Sequence, residues 1–431
     1  MSAVPSSRRS ISFRTVFGIQ VIFVAAFVVA WFALPPTSQK MVVARATHQP
    51  YPLDVQIEDI PPVTISSLYN DPDLVTDQQL ADVLHKILPR FSRRHLRPNY
   101  VEHALRTWGA SIEFRNPDVI SGPQMRDFLI DNSRYVDSWG EDGMPILEPY
   151  ENGISIRYGK DRSTSVHHDH LLACLTEAGV PLSEAVHVPG REMQMYDVMN
   201  QSLQDFQLDE IETEWSAMAF SAWLMPQKLK TWHNGRGRQL SLDLLAERLI
   251  RNHKQHGVCS GTHRVYTLMM MLRLNEDNGG ELLSEHSTSR MMDYLREVRD
   301  LIMAAQDDDG SWPPNWASGA DAAKLAEANE PIYRRVISTG HHLEWLSIAP
   351  EELHPPREDI HRAATWIINN TLETPQETID SNYTFYSHVG NALALWRKTT
   401  PAAFWQNWRN DHPEAEQFET PLAEDSAEAS H

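Results

Sequence analysis

The chain has 431 residues, of which 41% are hydrophobic, with 13 Trp, 13 Phe and 12 Tyr, so it can bury a sizeable core and is not disordered throughout. Its formal net charge of −20 argues against a nucleic-acid partner, because phosphate binding needs concentrated Lys and Arg. Its two cysteines, Cys174 and Cys259, exclude a disulfide-rich scaffold and any four-cysteine zinc module.

An uncharged apolar segment lies near the N-terminus. Val16 to Leu34 carry no charge over 19 residues, and a helix of that length rises about 28 Å, close to the ~30 Å hydrocarbon core of a bilayer. Three arginines precede the segment, which predicts a cytoplasmic N-terminus and a main domain outside the cytoplasm. We therefore expect a cytoplasmic segment at 1–14 and a single transmembrane signal-anchor helix at 15–35, which makes the membrane one partner of this protein.

A cleaved signal peptide is the alternative interpretation of this segment. Its apolar region would normally be shorter, ~7–15 residues, and small residues would follow at the cleavage site. The run instead ends in Trp31, Phe32, Ala33 and Leu34 followed by two prolines, which is a poor match to a cleavage site. The sequence therefore favours an uncleaved anchor.

The rest of the chain divides into three parts. Residues 36–70 are rich in proline and polar residues and indicate a linker. Residues 71–400 have apolar positions three or four apart, and most of these patterns end at Pro or Gly, as helices do; Gly153 to Gly159 is the best strand candidate. Residues 411–431 are acidic and poor in aromatics, which predicts a disordered tail.

These patterns predict an all-α fold. Many helices of ~12–18 residues with short breaks between them suggest antiparallel hairpins packed side by side. Rolled into a ring, such hairpins form an α/α toroid, a helical-hairpin barrel in which inner helices face a central cavity. We expect this domain to follow the single transmembrane helix.

Two groups of residues that precede the main candidate helix are weaker candidates for a functional site. The run His167-His168-Asp169-His170 has the composition of a metal site, but consecutive helical residues point in different directions, which favours a solvated helix start. Glu214 lies on the same flank as Ile211 and Met218, which indicates a partly desolvated carboxylate with a raised pKa.

The segment from Cys259 to Leu272 is the helix most suited to chemistry. At 100° per residue, Cys259, His263, Tyr266 and Met270 form one stripe, while a second, apolar stripe lies well round the helix. Cys and His four residues apart can give two ligands to one metal ion, most plausibly zinc, if a further His or carboxylate completes the site. The alternatives are a buried thiol beside a structural histidine, or a disulfide between Cys174 and Cys259.

The segment from Leu301 to Trp312 (LIMAAQDDDGSW) carries a family resemblance. Gln306, Gly310 and Trp312 match the Q-x-x-x-G-x-W motif of the terpenoid-cyclase and protein-prenyltransferase toroid group, the prenyltransferase/squalene-oxidase-like repeat. The resemblance implies an α/α toroid, and protein prenyltransferases bind zinc in theirs with Asp, Cys and His. Gly310 allows a left-handed turn that folds Trp312 back between hairpins, and we expect Trp312 and Trp316 at the mouth of the barrel.

A second resemblance lies in Thr339 to Trp345 (TGHHLEW). It is similar to the G-H-x-x-E-W segment of six-hairpin barrels of the N-acylglucosamine 2-epimerase type, in which it starts a helix. His341 and Glu344 share one face of this helix, and Thr339 is a plausible N-cap. The helix dipole would then keep His341 neutral, as a general base or a metal ligand must be. His388, amid aromatic residues on the last long helix, is a further candidate.

The leading functional hypothesis is an extracytoplasmic toroid enzyme that acts on a carbohydrate or lipid-like substrate by acid/base or metal-assisted chemistry. The candidate catalytic residues are His263, Tyr266, His341, Glu344 and His388, and the candidate metal ligands are Cys259, His263 and His341. The competing hypothesis is a non-catalytic tethered module that binds a peptide, a glycan or another envelope component. Prenyl or terpenoid chemistry ranks last, because no acidic pair or basic cluster is evident for a diphosphate site.

Overall fold

The computed structural model describes residues 13–47, 55–61, 63–150, 153–251, 258–327 and 329–418. Within these ranges the chain is mostly helical, with a few short strands, as the sequence predicts. The α-helices are α1 (Phe13–Ala33), α2 (Pro36–Thr47), α3 (Asp77–Lys86), α4 (Pro98–Trp108), α5 (Gly122–Ile130), α6 (Asn132–Trp139), α7 (His170–Glu177), α8 (Met195–Asp205), α9 (Glu214–Leu224), α10 (Leu242–Arg251), α11 (Thr262–Asp277), α12 (Glu285–Ala305), α13 (Ile332–Ile348), α14 (Arg357–Glu373), α15 (Gln376–Ser381), α16 (Tyr383–Trp396) and α17 (Pro401–Asp411).

The strands form three antiparallel hairpins on the described part of the chain. They are β1 (Leu147–Tyr150) with β2 (Gly153–Ile156), β3 (Ala185–Val188) with β4 (Arg191–Gln194), and β5 (Thr231–His233) with β6 (Gln239–Ser241). In the first hairpin Leu147 lies opposite Ile156, so the predicted strand candidate does form a strand. Short 3₁₀ helices lie at Val258–Gly261, Trp316–Leu325 and Glu351–Leu353.

Several helices begin where the sequence supplies a cap. Thr76 and Gln79 form a capping box at the start of α3, and Ser121 and Gln124 form another at the start of α5. In each case the hydroxyl accepts from the backbone N–H three residues on, which satisfies a donor that the helix itself leaves free. These starts follow from local sequence alone.

Helix α1 is the apolar N-terminal segment. It is the one helix among the described residues that is long and apolar enough to cross a membrane, with a mean hydropathy of 2.4, and none of its residues is buried. A membrane anchor and a signal sequence both have these properties. The cytoplasmic segment predicted at 1–14 lies mostly outside the described residues.

The segment predicted as a linker is more ordered than its composition indicates. Residues 36–47 form α2, and further along the chain Gln227 accepts from the backbone N–H of Glu58 at 2.7 Å. The backbone N–H of Leu68 donates to the carbonyl of Ser347 at 3.2 Å. The described parts of 55–70 therefore form a strap across the helical domain, because its backbone finds hydrogen-bond partners there.

Six helices surround the centre of the domain. They are α4, α7, α9, α11, α13 and α16; each packs against the next, and α16 packs against α4. Helices α3, α5, α10, α12 and α14 pack on the outside of these six: α5 contacts α4, α12 contacts α11, α14 contacts α13, and α3 contacts α16. Inner and outer helices therefore alternate along much of the chain, and polar residues on the inner six converge on one another.

The Q-x-x-x-G-x-W segment packs as its residue types suggest. Gly310 has φ +94°, and a Cβ there would lie 2.7 Å from the backbone of Arg362. The side-chain amide of Gln306 donates to the carbonyl of Gly310, and Trp312 donates to the carbonyl of Ile302. The expectation that Trp312 lies at an open mouth is wrong, because its ring is fully buried between α12 and α13. Trp316 is fully buried too.

The predicted acidic tail begins later than its composition suggests. Residues 412–418 pack on the domain, and Glu416 is buried where it accepts from the indole of Trp405 at 3.0 Å. Arg409 also pairs with Glu416 at 3.1 Å, so an acidic residue in this stretch is held by a cation and an indole. The disorder predicted for 419–431 lies outside the described residues.

Candidate metal and acid–base centre

The inner helices bring a set of polar side chains together in the centre of the domain. These are Glu102, His103 and Arg106 from α4, His170, Cys174 and Glu177 from α7, His263 and Tyr266 from α11, His341 and Glu344 from α13, and His388 from α16. Most are fully buried, and buried ionisable groups persist only when they are paired. The hydrogen bonds and ion pairs of each side chain therefore determine which chemistry the centre can support.

Three of the predicted histidines lie in contact with one another. The ring centroids of His263 and His341 are 4.2 Å apart, those of His341 and His388 are 3.9 Å apart, and those of His263 and His388 are 5.3 Å apart. None of the three is more than 1% exposed. The structure thus places residues from α11, α13 and α16 at one point.

The hydrogen bonds of His341 leave one ring nitrogen free. Its Nδ1 lies 2.9 Å from a carboxylate oxygen of Glu344, to which it donates, and its Nε2 has no partner. A neutral ring that carries its proton on Nδ1 has a lone pair on Nε2. His341 is therefore a ring whose Nε2 is ready to accept a ligand.

His388 is held differently. Its Nδ1 lies 3.0 Å from a guanidinium nitrogen of Arg106 and 3.4 Å from a carboxylate oxygen of Glu344. Its Nε2 has no partner, as in His341. In His263 neither nitrogen has a partner.

Cys259 brings a thiol to the same place. Its ligand atom lies within 4.8 Å of nitrogens of His263 and His341. The helix begins only at Thr262, and Cys259 and Ser260 have left-handed backbone conformations with φ of 50° and 60°. Such conformations are strained for non-glycine residues and are often retained at functional sites. Cys174 and Cys259 are both free, so the disulfide considered between them does not form.

His341, Glu344 and His388 also lie within 4.8 Å of one another. That group is the weaker candidate for a metal, because a guanidinium nitrogen of Arg106 is 2.9 Å from Glu344 and already supplies the positive charge. Within the described residues, the set of Cys259, His263 and His341 makes no hydrogen bond or ion pair with a cation, and it offers nitrogen and sulfur ligands, which zinc prefers. It is the set that best fits a metal ion.

Burial keeps the three histidines neutral. It lowers the pKa of His263 and of His388 well below the usual range, and the neighbouring imidazoles lower both further. Burial also lowers the pKa of His341, against the opposing effect of Glu344. Neutral imidazole is the form that binds metals.

The explanation predicted for the neutrality of His341 is wrong. Helix α13 begins at Ile332 after Pro331, so His341 lies in its middle, far from the positive end of the helix dipole. Thr339 is not an N-cap: its hydroxyl accepts from the backbone N–H of Trp312 at 2.9 Å. Gly340 does not interrupt the helix, since neighbouring helices pack closely around it.

Arg106 lies between Glu177 and Glu344 in the centre, and it is not among the residues that the sequence predicted. It contacts Glu177 at 2.5 Å and Glu344 at 2.9 Å. Burial opposes its charge, but Glu177 and then Glu344 outweigh burial and raise the pKa of Arg106 well above its usual range. Burial acts to raise the pKa of Glu344, but Arg106, His341 and His388 outweigh burial. The pKa of Glu344 therefore lies well below its usual range. The sequence feature that could have revealed Arg106 is its charge, because it lies between Leu105 and Thr107 in a helix that is mostly buried.

A second buried group lies beside the first. Glu102 contacts Nδ1 of His170, and the Nε2 of His170 is 3.5 Å from the sulfur of Cys174. The prediction that His167 to His170 form a solvated helix start is wrong for His170, which begins α7 but is fully buried. Burial raises the pKa of Glu102 to about 8 and raises that of Cys174 well above its usual range. The thiol is therefore un-ionised and inaccessible, which indicates a structural group.

Tyr266 lies on the floor of a small pocket. Its hydroxyl donates to Glu177 at 3.2 Å, and both residues line a cavity of about 100 Å³ together with Arg106 and Glu344. The six inner helices all contribute residues from their C-terminal halves to this pocket, so they run in the same direction; these residues include Thr107, Glu177, Ala222, Leu274, Glu344 and Leu395. Val63 and Ile65 of the strap form one wall.

Glu214 does not join the centre. It is fully buried and pairs with Arg264 at 3.0 Å. Burial raises its pKa in spite of Arg264, in the direction that the sequence predicts. Its role is that of a buried ion pair between α9 and α11.

The chain matches no protein-family model, no curated protein and no solved structure.

Proposed function

We propose that this protein is a membrane-anchored metalloenzyme with an α/α-toroid fold, whose central zinc ion is held by Cys259, His263 and His341. The observation that carries the proposal is the set of unpartnered, fully buried imidazole nitrogens of His263 and His341 beside a thiol. Burying polar nitrogens without partners costs about 1–3 kcal/mol each, so they are expected to have a ligand.

The helical arrangement supports the toroid. Six inner helices run in the same direction, each contacts the next, and outer helices alternate with them along the chain. A ring of this kind closes when the first inner helix packs on the last, as α4 does on α16. The buried Q-x-x-x-G-x-W segment between α12 and α13 is in keeping with the resemblance that suggested this fold.

Glu344 supports the metal assignment. Metal-binding histidines usually donate their second ring nitrogen to a carboxylate, which fixes the tautomer and turns the lone pair toward the ion. Glu344 does this for His341 at 2.9 Å. Arg106 holds Glu344 in turn, so the orientation of the ligand is set by a buried ion pair.

Cys259, His263 and His341 would hold the zinc ion, and three protein ligands are the number found in catalytic zinc sites. The ion would supply Lewis-acid chemistry to a substrate or a water molecule. His388 lies beside His341, and its unpartnered Nε2 would exchange a hydrogen bond or a proton with a substrate. Tyr266, Glu177 and Arg106 on the pocket floor would bind polar groups of a carbohydrate or lipid-like substrate.

The location proposed for this chemistry is outside the cytoplasm. Helix α1 would anchor the protein with its N-terminus in the cytoplasm, because the arginines lie ahead of the apolar segment. The strap that follows the anchor lines the pocket through Val63 and Ile65. A substrate would therefore enter beside the segment that leads to the membrane.

Elemental analysis of the full-length protein in detergent tests the metal. We expect close to one zinc per chain, and we expect H263A or H341A to lose it. H342A is the matched control, because His342 is the next residue in α13, is equally buried, and accepts a hydrogen bond from Trp345 outside the cluster. Zinc that survives in both H263A and H341A, or a protein that takes up none after chelation and reloading, contradicts the proposal.

A non-catalytic module is the second candidate, and one observation favours it. All three central histidines are at most 1% exposed, as the ligands of a closed structural site are. Cobalt replacement separates the two candidates: a site with an open position changes its visible spectrum when acetohydroxamate is added. A spectrum that stays the same at saturating hydroxamate supports the module.

A further inference from the structure

A basic groove lies far from the proposed zinc ligands in sequence. It has a volume of about 920 Å³ and is lined by the loop between α3 and α4, by residues 160–162 and by the end of α15. Five cationic residues line it: Arg90, Arg94, Arg97, Lys160 and Arg162. Only Asp161 and Asp380 oppose them, so the groove is positive in a chain with a net charge of −20.

Three of the five cations of the groove are available to a ligand. Arg94, Lys160 and Arg162 are exposed and form no ion pair within the described residues. The protein pairs most of its other arginines with carboxylates, for example Arg335 with Asp309 at 2.6 Å and Arg397 with Asp77 at 2.6 Å. Unpaired cations that face one concavity raise the local concentration of anions.

The loop that carries these cations is fixed by the end of α6. The backbone N–H of His95 donates to the carbonyl of Ser138 at 3.1 Å, and that of Leu96 donates to its hydroxyl at 2.9 Å. The indole of Trp139 donates to the carbonyl of Leu96 at 2.8 Å. His95 has a left-handed backbone with φ 53°, so the loop holds a strained turn. The loop is pre-organised, and ordering it would cost a ligand little.

Two helix starts add to the positive potential. Arg97 is the N-cap of α4 and Asn382 is that of α16, and neither end has a side-chain cap. The hydroxyl of Tyr100 donates to the carbonyl of Ser381 at 2.7 Å and joins the two ends. Helix N-termini attract anions through their free N–H groups.

Aromatic rings lie among the cations. The guanidinium of Arg97 is 4.9 Å from the centroid of the Tyr100 ring, and Trp139 and Tyr100 both line the groove and are partly exposed. Aromatic faces beside cations suit sugar rings that carry carboxylate or sulfate groups, since the rings pack on the aromatics while the anions pair with Arg and Lys. A flat bilayer surface would not enter a concavity, and a long nucleic acid would be repelled by the acidic surface beyond it.

We propose that this groove binds an anionic polysaccharide segment, with uronic-acid or sulfated sugars as its chemical class. Its volume lies within the ~300–1,000 Å³ typical of ligand sites. The groove lies at the N-terminal ends of α4 and α16, whereas the small pocket lies at the C-terminal halves of the inner helices. The groove would thus hold a glycan chain at the opposite end of the domain, independently of the zinc ion.

Equilibrium binding to the full-length protein in detergent tests the proposal. The probe is a fluorescent hexamer of galacturonic acid, with a neutral glucose hexamer for comparison. We expect saturable binding of the acidic hexamer that weakens with salt, and a loss of about tenfold or more in affinity in R94Q/K160Q/R162Q. Because these side chains are exposed, the variant should keep the unfolding temperature of the parent.

The matched control is R134Q/R296Q/K324Q, which removes the same charge from exposed sites outside the groove. It should bind like the parent. Equal loss in both variants, equal affinity for the neutral hexamer, or equal affinity for single-stranded DNA of the same charge would overturn the proposal. Binding to anionic phospholipid vesicles without binding to the acidic hexamer would also overturn it, and would identify a membrane contact instead.

Discussion

Nδ1 of His341 lies 2.9 Å from a carboxylate oxygen of Glu344, one turn further along the same helix. Glu344 also contacts Arg106 at 2.9 Å, so one carboxylate orients an imidazole and neutralises a buried cation. The same residue is therefore important both to the stability of the domain and to the geometry of the proposed metal site. The two roles can be separated by experiment.

Replacing Glu344 by Gln should weaken zinc binding by about 10- to 100-fold, because His341 loses the carboxylate that orients it. Competition with a chromophoric chelator measures the affinity. E214Q is the matched control, since Glu214 is an equally buried carboxylate that pairs with an arginine, Arg264, and forms no hydrogen bond with a proposed ligand within the described residues. Both variants should lose stability, but only E344Q should lose zinc affinity; an equal loss in both would remove Glu344 from the metal site.

Replacing Arg106 by Met should destabilise the fold by about 3–5 kcal/mol, because it leaves the buried Glu344 and the partly buried Glu177 without their cation. Urea unfolding monitored by tryptophan fluorescence measures the change. Adding E177Q to R106M should recover part of the loss, since one uncompensated carboxylate is then removed.

The exposed pair of Arg134 and Asp137 is the comparison for that series, with side chains 63% and 71% exposed. R134Q should change stability by less than about 1 kcal/mol, as exposed pairs do. If R106M unfolded no more easily than R134Q, the central ion pairs would not stabilise the domain.

Gly310 and Gly279 provide a test of close packing at the Q-x-x-x-G-x-W turn. Both have φ +94°, but a Cβ on Gly310 would meet the backbone of Arg362 at 2.7 Å, whereas nothing lies within 4 Å of one on Gly279. G279A should cost only the left-handed strain, about 1–2 kcal/mol. G310A should cost about 1–3 kcal/mol more, because the neighbouring helix must shift. Equal thermal unfolding of the two variants would mean that the turn does not pack on α14.

His168 makes the stability depend on pH. Burial acts to lower its pKa, but Asp169 and Glu210 outweigh burial and raise it to about 9. A pKa raised above the unfolded value of about 6.5 gives stabilisation that is complete below pH ~6.5 and is lost as the pH rises toward 9. Unfolding free energies measured from pH 6 to 10 should therefore fall, and H168N should reduce that fall.

H187N is the companion variant, because His187 is 48% exposed and lies 3.7 Å from Glu192. It should leave the pH dependence of the parent unchanged. A parent whose stability does not decrease between pH 6.5 and 9 would show that His168 is not held as a cation in the folded state.

The sequence by itself determined the local features of this protein. The spacing of apolar residues predicts the helices, and capping residues such as Thr76 and Ser121 fix where some of them begin. The uncharged segment from Val16 to Leu34 predicts the apolar helix α1. It also made His263, His341 and His388 candidates, because they are polar residues on otherwise apolar helices, and the structure places their rings in contact. These features depend on residues close to one another in the chain.

Only the tertiary structure decided how the centre is assembled. Arg106 and His388 are 282 residues apart in the chain, and Tyr266 and Glu177 are 89 apart, so no local pattern reveals that they meet. Tertiary packing also keeps α13 helical at Gly340 and buries His170. It brings together the cations of the groove, which come from separate loops. The physical reason is that long-range contacts, which bury and pair these groups, outweigh the weak local preferences that a sequence displays.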